Sequence, residues 1–212
     1  MNRVVPALLT DKKDDLMFML NKCSEFTNYA QIDIMDGEFV PSRSIGIEDI
    51  ENIDSPIDCE AHLMVKDPIV WIKPFKKLGA KKIIYHFEIG GNHNDIINKI
   101  KEADLKAGIA LNPTTKIEEI GFLMKNIDMV LFMSVNPGFY GAPFMPEVLS
   151  KIKYFKNIYP LIQIAIDGGI KLNNAKAAID SGCDYVCVGS AILKSNDSKQ
   201  EYCKFIDLLK DN

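Results

Sequence analysis

The sequence predicts an α/β fold, a single (β/α)8 TIM barrel spanning residues 1–212, and three observations carry that expectation. Short apolar runs rich in β-formers return eight times, a helix-like or crossover segment follows each, and the runs are purely apolar where they lie deepest. Strands buried on both faces pair in parallel beneath covering helices, and the spacing suits a compact closed barrel. A doubly wound open sheet is the alternative. Its nucleotide-binding forms lose ground because the first βα turn, PALLTD, has no Gly-rich fingerprint and G-x-x-x-x-G-K-[ST] is absent.

Val4 to Leu8 is the first strand, with Pro6 placing it at an edge or near a barrel mouth. Thr10 and a charged run open a capped amphipathic helix that carries Leu16, Met17, Met19, Leu20 and Cys23. The second strand, in the stretch that opens at Gln31 and carries Ile32 to Met35 with Tyr29 just before, stops at the Asp36-Gly37 turn signal. Its alternation sets Gln31, Asp33 and Met35 on one face and Ile32 and Ile34 on the other. A loop with Pro41, Ser42, Arg43 and Gly46 precedes a weak helix from Ile47 to Ile53. Ile57 to Val65 is the third strand. Asp67-Pro68 then caps a helix with Trp71, Ile72, Phe75 and Leu78 on one stripe, and Gly79 stops it.

Lys82 to Phe87 is the fourth strand, and Asn94 to Ala103 a helix with Ile96, Ile97 and Ile100 inward. Ala107 to Leu111, Met129 to Val135, Leu161 to Ile166 and Tyr185 to Val188 are the remaining strands. Helices are expected at Lys116 to Met124, Pro146 to Tyr159 and Leu172 to Asp180, with a short turn at Ser190 and a last helix near Lys199 to Leu209. No linker, charge block or low-complexity tract divides the chain.

Composition narrows function mainly by exclusion. A net charge of −4 gives no reason to expect nucleic acid or an anionic membrane as partner, so any bound anion must be held by local geometry. The apolar run from Val4 to Leu9 is too short for a signal peptide core or a membrane span, which makes a cytoplasmic location the expectation. Five cysteines without a C-x-x-C pair fit reduced thiols.

In this fold the chemistry sits at the carboxyl ends of the strands. Standing there are Asp33 and Met35, then Glu60, His62 and Met64, then His86, then Met133 and Ser134, then Asp167, and finally Gly189. A buried Asp33 could equally be a core acid paired with Lys or Arg, and a buried histidine is often only a hydrogen-bonded core residue. Two histidines beside two aspartates at matching depth favour a site. Gly138-Phe139-Tyr140-Gly141, Gly168-Gly169 and Gly189-Ser190 follow the last three strands. Singly each reads as a tight turn; together at one end they suggest a phosphate cradle.

The blocks DIMDGEFVP, AHLMV, ALNP, SVNPGF with a further glycine at 141, IAIDGGI and VGSAI, in this order across essentially the whole chain, resemble the ribulose-phosphate 3-epimerase family. The related barrels of orotidine phosphate decarboxylases and hexulose-phosphate synthases would show D-x-K-x-x-D, whereas here the second strand reads Asp33-Ile34-Met35-Asp36. The resemblance implies epimerisation at C3 of a ketose phosphate, interconverting D-ribulose 5-phosphate and D-xylulose 5-phosphate, with Asp33 and Asp167 as the two acid/base groups. It implies a divalent metal (Zn, Mn, Fe or Mg) on Asp33, His62 and Asp167. Met35, Met64 and Met133 would lie against the enediolate, although methionines also serve as gap-fillers. The phosphate would sit on Gly138 to Gly141, Gly168, Gly169, Gly189 and Ser190. A homo-oligomer is compatible with the family.

Three positions depart from the family pattern. Ala7 replaces a serine, Gln31 replaces the first metal-binding histidine, and Ala142 replaces a glutamine. Glutamine can offer a carbonyl oxygen, a weaker and harder ligand than imidazole, which suits Mg or Mn better than Zn. An epimerase for another ketose phosphate, such as allulose 6-phosphate, and a non-catalytic sugar-phosphate-binding barrel therefore stand as alternatives. Retention of both aspartates and His62 speaks against the second.

Overall fold

A computed structural model describes residues 3–138 and 143–210. Eight parallel strands close in chain order: β1 (Val4–Leu8), β2 (Tyr29–Met35), β3 (Asp58–Met64), β4 (Ala80–His86), β5 (Lys106–Leu111), β6 (Met129–Met133), β7 (Gln163–Asp167) and β8 (Tyr185–Val188), with β8 pairing back onto β1. The helices are α1 (Lys13–Ser24), α2 (Ile47–Glu51), α3 (Ile69–Leu78), α4 (His93–Glu102), α5 (Glu147–Ile158), α6 (Leu172–Asp180), α7 (Ser190–Leu193) and α8 (Ser198–Leu208). The (β/α)8 expectation therefore holds.

Strand alternation divides the apolar residues into two cores. Val4, Leu8, Ile32, Ile34, Ile83, Tyr85, Val130 and Phe132 face outward and pack with Leu16, Leu20, Phe75, Ile97 and Phe155 of the helices. Val5, Ala7, Ile84, Ala110, Leu131, Met133, Ala165 and Cys187 fill the barrel interior. Each fully buried aliphatic side chain contributes roughly 1.5–3 kcal/mol, so a register slip that exchanged the faces would be strongly opposed. Gly108 on β5 shows how tightly the interior is filled. A Cβ there would stand 2.8 Å from Met129 Cγ and 2.9 Å from Ile84 Cγ1.

Local differences from the sequence reading have physical causes. The segment after β5, expected as a helix from Lys116 to Met124, is a 3-10 helix from Ile117 to Leu123. Gly121 lies within it, and glycine disfavours a sustained α-helix. Thr10 does not cap α1; its hydroxyl accepts the N–H of Lys12 just ahead of the helix. Helix α4 begins at His93 because Asn92 accepts the Asp95 N–H. Leu161 lies outside β7 and is fully exposed, since that strand begins at Gln163.

Candidate active site

Parallel register fixes which side chains meet at the mouth. Asp33 pairs with His62 and Met35 with Met64 between β2 and β3, and Met133 pairs with Asp167 between β6 and β7. Closing the barrel brings these pairs together around a cavity of about 540 Å³ that also reaches Gly138, Gly168 and Gly189. Asp33, His62 and Asp167 are buried and offer ligand atoms that all lie within 4.8 Å of one another. Their His Nδ1 and carboxylate oxygens form a mixed donor set of a kind divalent metals accept, and this buried group could hold one.

The hydrogen bonds show how the cluster is balanced. His62 Nδ1 lies 3.0 Å from Asp33 Oδ1 and 3.6 Å from Asp167 Oδ2. Gln31 Nε2 donates to Asp33 Oδ1 at 2.8 Å and to Asp167 Oδ2 at 2.6 Å. Its Oε1 accepts from Cys187 Sγ at 3.1 Å. The amide thus turns its nitrogen, not its carbonyl oxygen, toward the two acids. The reason is complementarity: a thiol donor stands on one side and acceptor carboxylates on the other.

Burial pushes the Asp33 carboxyl up, and the charge of Asp167 adds to this, against hydrogen bonds from His62 and Gln31. Burial alone would lower the His62 imidazole, but hydrogen bonds and charge from Asp167 and Asp33 outweigh it and hold its pKa at about 9. Behind it, His62 Nε2 meets His86 Nε2 at 3.0 Å, and His86 Nδ1 meets Glu88 Oε2 at 3.2 Å. Burial drives His86 down to about 4, with Glu88 opposing and His62 reinforcing the shift.

The mouth loops are held by backbone geometry. Gly168 has φ +109°, and a Cβ on it would fall 2.5 Å from Val135 Cγ2, so this left-handed, crowded turn admits only glycine. The Ser134 hydroxyl donates to the Gly168 carbonyl at 2.6 Å, tying the β6 and β7 loops together. Met35, Met64, Met133, Gly138, Gly168, Gly169, Gly189 and Ser190 all line the cavity as expected, and so does Ala7. Phe139, Tyr140, Gly141 and Ala142 lie outside the described residues.

Glu60 faces the barrel interior and does not reach the mouth. It stands one inward position below His62 and pairs with Lys82 at 2.6 Å, while Tyr29 and Tyr185 donate to it. Lys171, Asn173 and Asn174 line the cavity and escaped the sequence reading. A lysine two positions after Gly169, in the loop that follows β7, was the available signal.

Fold and site together define a class: a (β/α)8 barrel with a buried acid–imidazole–acid cluster at its carboxyl mouth. Comparison with known proteins narrows this. The family model described as "Ribulose-phosphate 3 epimerase family" matches residues 3–193. The ribulose-phosphate 3-epimerase of Bacillus subtilis is 37% identical over 178 residues, covering 80% of this chain and 81% of that one. That of Schizosaccharomyces pombe is 31% identical over 206 residues, covering 93% and 90%. The chain belongs to the ribulose-phosphate 3-epimerase family. Among solved structures, the 3-hexulose-6-phosphate synthase of Salmonella typhimurium superposes with a TM-score of 0.72 at 18% identity over 98% of both chains, which is a likeness of fold.

Proposed function

We propose that the protein is a ketose-phosphate 3-epimerase that interconverts D-ribulose 5-phosphate and D-xylulose 5-phosphate by two-base proton transfer at C3. The observation that carries this reading is the pair of carboxylates, Asp33 and Asp167, brought together at one cavity from strands on either side of the barrel and linked by one Gln31 amide. A carbon acid held between them loses its proton to one carboxylate and regains one from the other on the opposite face, with the roles exchanged in the reverse direction. Burial raises the Asp33 carboxyl above its ordinary value, the direction that favours it as the proton-carrying partner. The Gln31 N–H groups hold both carboxylates in place, so their oxygens are oriented before substrate arrives.

Asp33, His62 and Asp167 are the residues that would hold a divalent cation, which when bound supplies charge stabilisation to the enediolate oxygens. Met35, Met64 and Met133 close the apolar side of the reacting carbon, and Gly138, Gly168, Gly169, Gly189 and Ser190 receive the phosphate, with Lys171 contributing positive charge at that rim. All five cysteines are free thiols, in keeping with a cytoplasmic enzyme, and no helix among the described residues is long and apolar enough to cross a membrane.

The test is isotope exchange. Incubated with ribulose 5-phosphate in deuterated water, the protein should place deuterium at C3 and build up xylulose 5-phosphate. Absence of C3 exchange with metal-supplemented protein would refute the activity.

A further inference from the structure

The cluster at the mouth continues into the protein wall through a single file of hydrogen bonds. Glu88 sits in the 3-10 turn from Phe87 to Ile89, directly after β4. Its Oε1 accepts the backbone N–H of Asn112 at 2.7 Å and pairs with the Thr115 hydroxyl, while Oε2 faces His86 Nδ1 at 3.2 Å. The two Nε2 atoms of His86 and His62 then stand 3.0 Å apart, and His62 Nδ1 faces Asp33. Each ring nitrogen of His86 and the Nε2 of His62 has one partner here, so the direction of one hydrogen bond dictates the next.

That direction is set at the outer end. The Asn112 N–H can only donate, and the Glu88 carboxylate can only accept. His86 therefore carries its proton on Nδ1 and presents an electron pair at Nε2. The neighbouring His62 must supply a proton from its own Nε2, which leaves Nδ1 as the atom facing the two aspartates. We propose that Glu88, acting through His86, is a positioning residue that holds a proton on His62 Nε2 and so leaves Nδ1, which donates to Asp33 in the metal-free protein, as the nitrogen that a cation between Asp33 and Asp167 would take. Its consequence for metal binding rests on the cation reading above; the tautomer itself does not. Outer partners of this kind orient and tune ligating histidines generally, but here the control passes through a second imidazole.

Glu88→Gln tests the inference with little change of shape. The Asn112 N–H obliges the new side chain to keep its carbonyl oxygen toward Asn112, so its NH2 turns to His86. Each hydrogen bond in the file then reverses, His86 becomes the Nε2–H tautomer, and His62 is left with its proton on Nδ1. Long-range 1H–15N spectra of labelled, metal-stripped protein read these tautomers directly, and calorimetric titration with Zn2+ reads the consequence. The expected result is an Nδ1–H His86 in the unmodified protein, an Nε2–H His86 in the variant, and Zn2+ affinity weakened by about 10–100-fold.

An Nε2–H His86 in the unmodified protein would overturn the inference even if the variant failed to fold. So would a variant whose His86 keeps its proton on Nδ1, or one that reverses the file with unchanged Zn2+ affinity. An unmodified protein with the expected tautomers and no Zn2+ binding would uphold the file of hydrogen bonds and defeat the cation reading alone.

Discussion

Two buried polar clusters share the interior of this barrel, one inward position apart on β3. The lower joins Glu60 to Lys82 at 2.6 Å and adds Tyr185 and Tyr29 as donors to the same carboxylate. One acid meets one base. The upper sets Asp33 and Asp167 around a single imidazole and one amide, and opens on the large mouth cavity. Its charges are not matched one to one, and its ligand atoms point into space that a sugar can enter. Burial of charge is thus common to both, and what separates scaffold from chemistry is the imbalance together with access. Buried ion pairs are weak evidence for function, whereas two acids forced to share donors are the arrangement active sites use to shift pKa values.

Substitutions that treat the two clusters alike would break this contrast. Asp33→Asn or Asp167→Asn should reduce C3 exchange by roughly 10²–10⁴-fold while moving the denaturant midpoint less than Glu60→Gln does, because relief of the like-charge pair offsets the lost partner of His62. Near-normal exchange in either variant would remove the two-base assignment. Glu60→Gln should do the reverse. It leaves Lys82 buried without its counter-charge, at a cost of about 3–5 kcal/mol, with exchange per folded molecule within about twofold of the parent. An unaltered midpoint would place the lower cluster among dispensable contacts.

The pH dependence sharpens the comparison further. His62 is held at about 9 against an ordinary 6.5, so in metal-free protein the stabilisation it gives is complete below pH 6.5 and is lost as pH rises through 9. The loss should be at most about 3 kcal/mol, read as a falling urea midpoint over that window and abolished in His62→Gln. His86, driven to about 4, should remain neutral by NMR throughout the same range. Gln31→His should raise Zn2+ affinity by about tenfold, since imidazole replaces an amide whose nitrogen now faces the acids. The smallest effect belongs to Met64→Leu, nearly volume-conserving, with exchange reduced by no more than about tenfold and stability by less than about 1.5 kcal/mol.

Most of the candidate site was legible because each member sits at the end of a strand whose alternation declares its face. Asp33, His62, Met133 and Asp167 were found in that way, and the structure gathers all four at the cavity. For Glu60, alternation gave the inward face and not the depth: it shares that face with His62 yet lies below it, where Lys82 reaches it. Lys171 escaped because loop residues carry no periodic signal. The helix expected after β5 is present but of the 3-10 kind, for a local reason, the glycine within it.

What the sequence determined by itself was the succession of strands and helices, the inward side of each strand and the family blocks. These follow from periodicity and residue type, which act over a few neighbours. Only the closed barrel decided that Gln31 would reach Asp167 from 136 positions away, that its nitrogen rather than its oxygen would face the acids, and that Glu88 would stand behind His86 and His62. Those contacts depend on how strands close around a common axis and on which donors and acceptors then find one another, and no local pattern encodes that outcome.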